Sequence, residues 1–128
     1  MFIRFVVKRL DPDSGRRQGL FQAADELRGL GDLSSQDHEI LDNLFEWFRL
    51  NLRTPSRLSV SRRPHSKAQA ISWFKLTAHK HIAKMREFQR VLEPHGVVIE
   101  TIKARRPGYI VYEDEFQVAA YPFSDTPT

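Results

Sequence analysis

The chain contains no cysteine. That excludes a disulfide framework, a thiol nucleophile and any zinc site built on thiolates. It also lacks long apolar runs. Its longest are a few residues, against the ~20 that a spanning helix needs. No signal peptide is legible at the N-terminus: FIRFVVKRL alternates and carries Arg4 early, so it reads as a strand beginning almost at Met1. These absences lead to the expectation of a cytoplasmic protein of bacterial or phage type, with no membrane association.

The signatures of common enzyme classes are missing too. There is no G-x-S-x-G elbow, no phosphate loop ending in GKS or GKT, and no H-E-x-x-H pair. His79 and His81 stand two apart on an expected helix, about 200° around the axis, and cannot share a metal. His81 falls at the edge of the apolar stripe and is expected to be partly buried and bonded to backbone. His38, His65 and His95 belong to different elements. Glu100 and Lys103 are spaced E-x-x-K, which puts them on opposite faces of a strand. The segment DPDSGRRQG lacks the acid spacing of a calcium loop and the glycine density of a phosphate cradle. Arg16 and Arg17 near a helix start leave it some affinity for anions, but a solvated turn is the simpler reading. No catalytic residue, metal site or cofactor is assigned.

The most informative absence is of negative charge. The net charge is +4, an average of two very different parts. Between Glu46 and Glu87 lie 40 residues without one Asp or Glu, holding ten cations: Arg49, Arg53, Arg57, Arg62, Arg63, Lys67, Lys75, Lys80, Lys84 and Arg86. The other ten cations face all 16 acids, a net of −6. An ordinary mixed surface interleaves both signs, so this segregation marks residues 47–86 as the part to explain.

At 128 residues with 41% apolar and 11% aromatic residues, the chain has material for one folded core. Strand FIRFVVKRL puts Ile3, Phe5 and Val7 on one face and Arg4, Val6 and Lys8 on the other. A turn at DPDSG precedes RRQGLFQAADELRGL, which fits a short helix with Leu20, Ala24 and Leu27 on one face, ended by Gly29 and Gly31. Ser34 or Ser35 caps a second helix that runs to about Leu52 and buries a wide apolar set, Leu41, Leu44 and Phe48 among them. Residues 53–67 form a long basic loop with two prolines, four serines and five cations. From Ala68 to Leu92 a 3.6-residue spacing of Ile71, Phe74, Ala78, Ile82, Met85, Phe88 and Leu92 predicts a long third helix, ended by Pro94 and Gly96. On it Trp73 and Val91 fall outside the core stripe, beside Lys80 and Lys84. Three strands follow: VVIETIK, GYIVYE and FQVAAYPF. The acids Glu113, Asp114 and Glu115 between the last two read as a hairpin tip and not as a metal or catalytic cluster. The expected fold is α+β in the order β-α-α-α-β-β-β. It is a single domain over residues 1–123, with a mostly antiparallel sheet of about four strands and about three helices on one face. Residues 124–128 are a polar tail.

These features predict a small non-enzymatic binding protein with a polyanionic target, nucleic acid first. Arg53, Arg57, Arg62, Arg63 and Lys67 would contact phosphates with Lys80 and Lys84, and Trp73 would stack on bases. No helix-turn-helix, RNP or KH signature accompanies them. The alternative is a protein-interaction module, an inhibitor, adaptor or immunity-type partner or a homo-oligomer, with the basic loop facing an acidic surface. A third reading is an enzyme whose polar groups converge from distant elements.

Overall fold

The computed structural model describes residues 1–10, 15–54 and 70–128. The chain folds as α+β; the described residues form three helices and a six-stranded sheet in which every pairing is antiparallel. Its elements are β1 (Phe2–Leu10), β2 (Arg17–Gly19), α1 (Leu20–Gly29), α2 (Ser35–Asn51), β3 (Ile71–Lys75), α3 (His79–Leu92), a 3₁₀ turn (Glu93–His95), β4 (Ile99–Ala104), β5 (Tyr109–Glu113) and β6 (Gln117–Tyr121).

β1 organises the sheet. One of its edges carries β4, from Phe2↔Ala104 to Val7↔Ile99. The other edge is shared. Phe2 and Ile3 pair with Lys75 and Phe74 of β3, while Val6 and Leu10 pair with Gly19 and Arg17 of β2, across a bulge. Arg4 and Phe5 lie between these two contacts, where the sheet forks. β3 continues to β6, and β6 to the edge strand β5. β4 thus pairs with the N-terminal strand, and the last hairpin joins the sheet through β3.

The alternation in β1 feeds two cores. Ile3, Phe5 and Val7 face the helices and pack with Phe74, Leu20, Leu41, Leu44, Phe48, Met85, Phe88 and Leu92. Val6 faces the other way and joins Ile71, Trp73, Ile102, Ala104 and Val118. The helix-side core is rich in rings: Phe21 meets Phe48 edge-on with centroids 4.7 Å apart, and Phe45 meets Phe88 at 5.1 Å. α2 begins as its sequence predicts, with Ser34 Oγ accepting from the Asp37 amide at 3.1 Å.

The long third helix is corrected. Residues 71–75 are strand, and the helix starts at His79. ISWFK satisfies a period of two as well as 3.6: Ile71 and Trp73 enter one core, Phe74 the other. Over so short an apolar run periodicity does not separate the two states. Four ladder pairs with β6 and two with β1 decide for strand. Val91, expected off the stripe, is buried in the helix-side core. Arg17–Gly19, read as helix, is a short strand instead. The chain after β6 folds back: Thr126 Oγ1 donates to the Arg106 carbonyl at 3.2 Å, and Arg17 Nε to the Thr128 carbonyl at 2.9 Å.

Candidate functional site

The candidate cations divide by position. Arg57, Arg62, Arg63 and Lys67 lie outside the described residues. Arg53 follows α2, with an exposed side chain and a carbonyl that accepts from Gln117 Nε2 at 2.5 Å. Lys80 is exposed in the first turn of α3. Lys84 lies one turn on, 3.4 Å from Glu87 and 5.7 Å from the centroid of the Trp47 ring. The structure therefore brings Lys84 to a tryptophan, but it is Trp47 of α2. Trp73, expected on an outer helix face, is 1% exposed and belongs to the core on the sheet face away from the helices. The correction follows from the change of element: on a strand, alternation turns Trp73 inward where a helix would have carried it outward. Trp47 was unreadable as a partner because its closeness to Lys84 depends on how α2 and α3 pack.

Acids of the N-terminal helices have cations of their own. Arg28 bridges Asp25 at 2.7 Å and Asp42 at 3.0 Å, and both contacts keep its guanidinium protonated beyond the usual range. Arg9 holds Glu26 at 3.0 Å and His95 approaches Asp37 at 3.4 Å. Arg49 is held by Glu46, and Lys75 by Glu113 at 2.6 Å. Arg17, considered for anion binding, pairs with Glu100 and ties β2 to β4.

His81 is buried, with Nε2 2.8 Å from the Asn51 carbonyl and its ring between Trp47 and Phe116. A carbonyl only accepts, so Nε2 carries the proton. His81 and Gln117 together fix the end of α2 to β3, α3 and the hairpin, which positions Arg53. Among the described residues no group of three or more His, Asp or Glu could hold a metal ion, and no helix is long and apolar enough to cross a membrane.

The hairpin tip is as the sequence suggests, with one refinement: Asp114 is structural. Its carboxylate accepts from the amides of Phe116 (2.8 Å) and Gln117 (3.1 Å), from Tyr112 Oη (2.8 Å) and from Gln117 Nε2 (3.1 Å). Partial burial opposes ionisation, but these donors outweigh it and hold the Asp114 carboxyl below the usual range. A depressed folded-state pKa means that the unfolded chain binds the proton more readily. The stability from ionised Asp114 is complete above the unfolded value, ~3.9, and is lost as pH falls through the folded one. Asp114→Ala should cost ~2 kcal/mol at neutral pH, and its deficit relative to the parent should shrink in acid denaturation series. Asp114→Asn keeps an acceptor oxygen and should lose less. An equal deficit at pH 7 and pH 2.5 would remove the carboxylate charge as its source.

The fork between β1 and β3 opens a cleft of about 540 Å³. Leu20, Phe21, Phe45, Phe48, Phe74 and Met85 give it apolar walls. Arg4, Arg49, Arg53, Ser72, Trp73 and Gln117 also line it. Among the described residues, every charged group in the lining is an arginine. Sequence reasoning missed this cleft, because it exists only where β2 and β3 divide one edge of β1. Comparisons with protein-family models, with curated proteins and with solved structures returned no match.

Proposed function

We propose that the protein binds a polyanion, nucleic acid first, through the acid-free segment of residues 47–86. The observation that carries this reading is ten cations in 40 residues without a carboxylate. The ion pairs of the N-terminal helices support it. Asp25, Asp42, Glu26 and Asp37 each have a cationic or histidine partner from outside that segment. The basic segment is thus not simply the counter-charge of those helices. Arg53 and Lys80 are exposed, and Lys84 lies beside Trp47, the aromatic that takes the place first given to Trp73. Arg57, Arg62, Arg63 and Lys67 complete the set, as guanidinium forks and an ammonium for phosphates.

Fluorescence anisotropy with a labelled DNA or RNA 20-mer tests it. Affinity should fall linearly in log–log form with salt, with a slope near −0.9 per phosphate contacted on duplex DNA and about −0.7 on single strands. Lys80→Glu combined with Lys84→Glu should weaken binding ~10-fold or more at low salt and reduce the slope. No binding at low salt, or binding indifferent to salt, sinks the reading.

A protein partner is the second reading, and the edge strand β5 favours it. Tyr109 and Ile110 are 58% and 41% exposed on β5, which ends the strand order among the described residues. Recovery of one defined protein after nuclease treatment would select it.

A further inference from the structure

We propose that the outer face of α3 lies along the phosphate backbone of a nucleic-acid duplex and grips it without stacking on bases. This rests on the polyanion reading above and names the form of its ligand and the face that meets it. On α3, His81, Met85, Phe88 and Leu92 are buried. At ~100° per residue the opposite pole of the helix is His79, Ala83, Arg86 and Arg90, and all four are exposed. They recur at i, i+4, i+7 and i+11, so they form one straight stripe. At ~1.5 Å per residue the stripe is about 16 Å long. Lys80 stands exposed beside its start. The acid-free segment contains only part of this face, because Arg90 lies beyond Glu87.

Charge complementarity selects the occupant. Among the described residues Lys80, Arg86 and Arg90 have no ion pair. The acids that flank the stripe are engaged elsewhere: Glu87 is 3.4 Å from Lys84, and Glu93 accepts from Gln89 at 2.8 Å. Two guanidinium forks one helical turn apart suit phosphate oxygens. Ala83, between them and His79, keeps the middle of the stripe low, so a backbone can come close to the helix. The inner side of α3 is locked by rings, with Phe88 against Phe45 at 5.1 Å and Phe48 at 5.8 Å. The cations therefore stand on a rigid rod, which matches the regular phosphate array of a duplex. A single strand is held largely by bases stacked on aromatic side chains, and the stripe has no aromatic beyond His79. Trp47 is half-buried and already contacts Lys84, Phe48 and His81, so it is not a free platform for a base.

The test is anisotropy of the full chain with a labelled DNA duplex and with each of its strands alone, in one low-salt buffer. The duplex, with its denser charge, should bind at least ~10-fold more tightly than either strand. Arg86→Gln combined with Arg90→Gln should weaken duplex binding ~10-fold or more and make the salt slope shallower by about 1.8, two phosphate contacts at ~0.9 each. Lys8→Gln combined with Lys103→Gln removes the same charge from exposed strand positions. Screened from the stripe by salt, that pair should change the affinity less than ~2-fold. Ala83→Glu puts a carboxylate in the middle of the stripe and should abolish duplex binding. Its new side chain stands three residues before Arg86, a favourable helical pair, so the melting temperature should not fall. Strands bound as tightly as the duplex, or an arginine double variant no weaker than the lysine pair, would overturn this proposal and leave the polyanion reading standing. No binding of any probe at low salt would remove both.

Discussion

Trp73→Ala should destabilise the protein by about 3–5 kcal/mol. The side chain is 1% exposed and is the largest fully buried one in the chain. It packs with Val6, Ile71, Ile102, Ala104 and Val118 on the sheet face opposite the helices. That core is small and rests on five strands, β1, β3, β4 and β6 directly and β5 through β6. Paired strands cannot collapse into a void without giving up ladder hydrogen bonds, so most of the volume lost by truncation persists as cavity. Against a total stability of ~5–15 kcal/mol for a domain, the loss should appear as a large drop in the urea midpoint followed by circular dichroism. Trp47→Ala removes the same ring from a half-buried position beside Lys84 and His81 and should cost less. The ordering decides between two assignments of these tryptophans. Had Trp73 been the exposed stacking platform, its loss would be nearly neutral for folding and costly for nucleic-acid binding. A loss below ~1 kcal/mol would take Trp73 out of the core.

Those two tryptophans also mark the boundary of what the sequence discloses. β1 was legible because Ile3, Phe5 and Val7 alternate over nine residues, long enough for period two to stand alone. α2 was legible from a capping serine and a wide apolar face over 17 residues. The final hairpin was legible because three polar residues interrupt two apolar runs, although nothing local announced that Asp114 would bind the backbone. β3 was not legible. Its five residues fit strand and helix alike, and the ladder to β6 that settles the matter lies more than 40 residues away. A mistaken element then misplaced Trp73, which shows how one register error propagates to a functional residue.

The candidate site divides along the same line. Charge segregation is a property of composition, so the basic segment was visible without coordinates. The cleft depends on β1 pairing with three strands, a non-local fact that no window of sequence contains. The same holds for the Arg28 cluster with Asp25 and Asp42, where the residues come from two helices and meet only after packing. Arg57, Arg62, Arg63 and Lys67 lie outside the described residues. The salt series proposed above tests their contribution to binding.

Gly108→Ala should be the most damaging single methyl addition in the chain. Gly108 has φ of 132°, a conformation that side chains with a Cβ rarely adopt. A Cβ there would stand 2.8 Å from Pro122 Cα and still closer to the carbonyl carbon and oxygen of Tyr121. These neighbours are backbone atoms, so no rotamer change relieves the overlap. The strand ends must separate instead. That separation acts on Tyr109↔Tyr121, the first pair of the β5–β6 ladder, and on the segment after β6 that Arg106 and Arg17 hold through Thr126 and Thr128. Strain of ~1–3 kcal/mol for the dihedral alone, with the steric shift added, predicts a loss of about 3–5 kcal/mol, read as a fall in Tm of ten degrees or more by roughly the usual entropy of unfolding. Gly29→Ala is the matched control. Gly29 closes α1, a new Cβ there meets nothing within 4 Å, and its φ is not in the positive range. The same methyl should therefore leave stability unchanged or raise it by ~0.4–1 kcal/mol. Equal melting temperatures for the two variants would mean that the close approach of Gly108 to Tyr121 does not exist in solution. With it would go the docking of the C-terminal segment against β2.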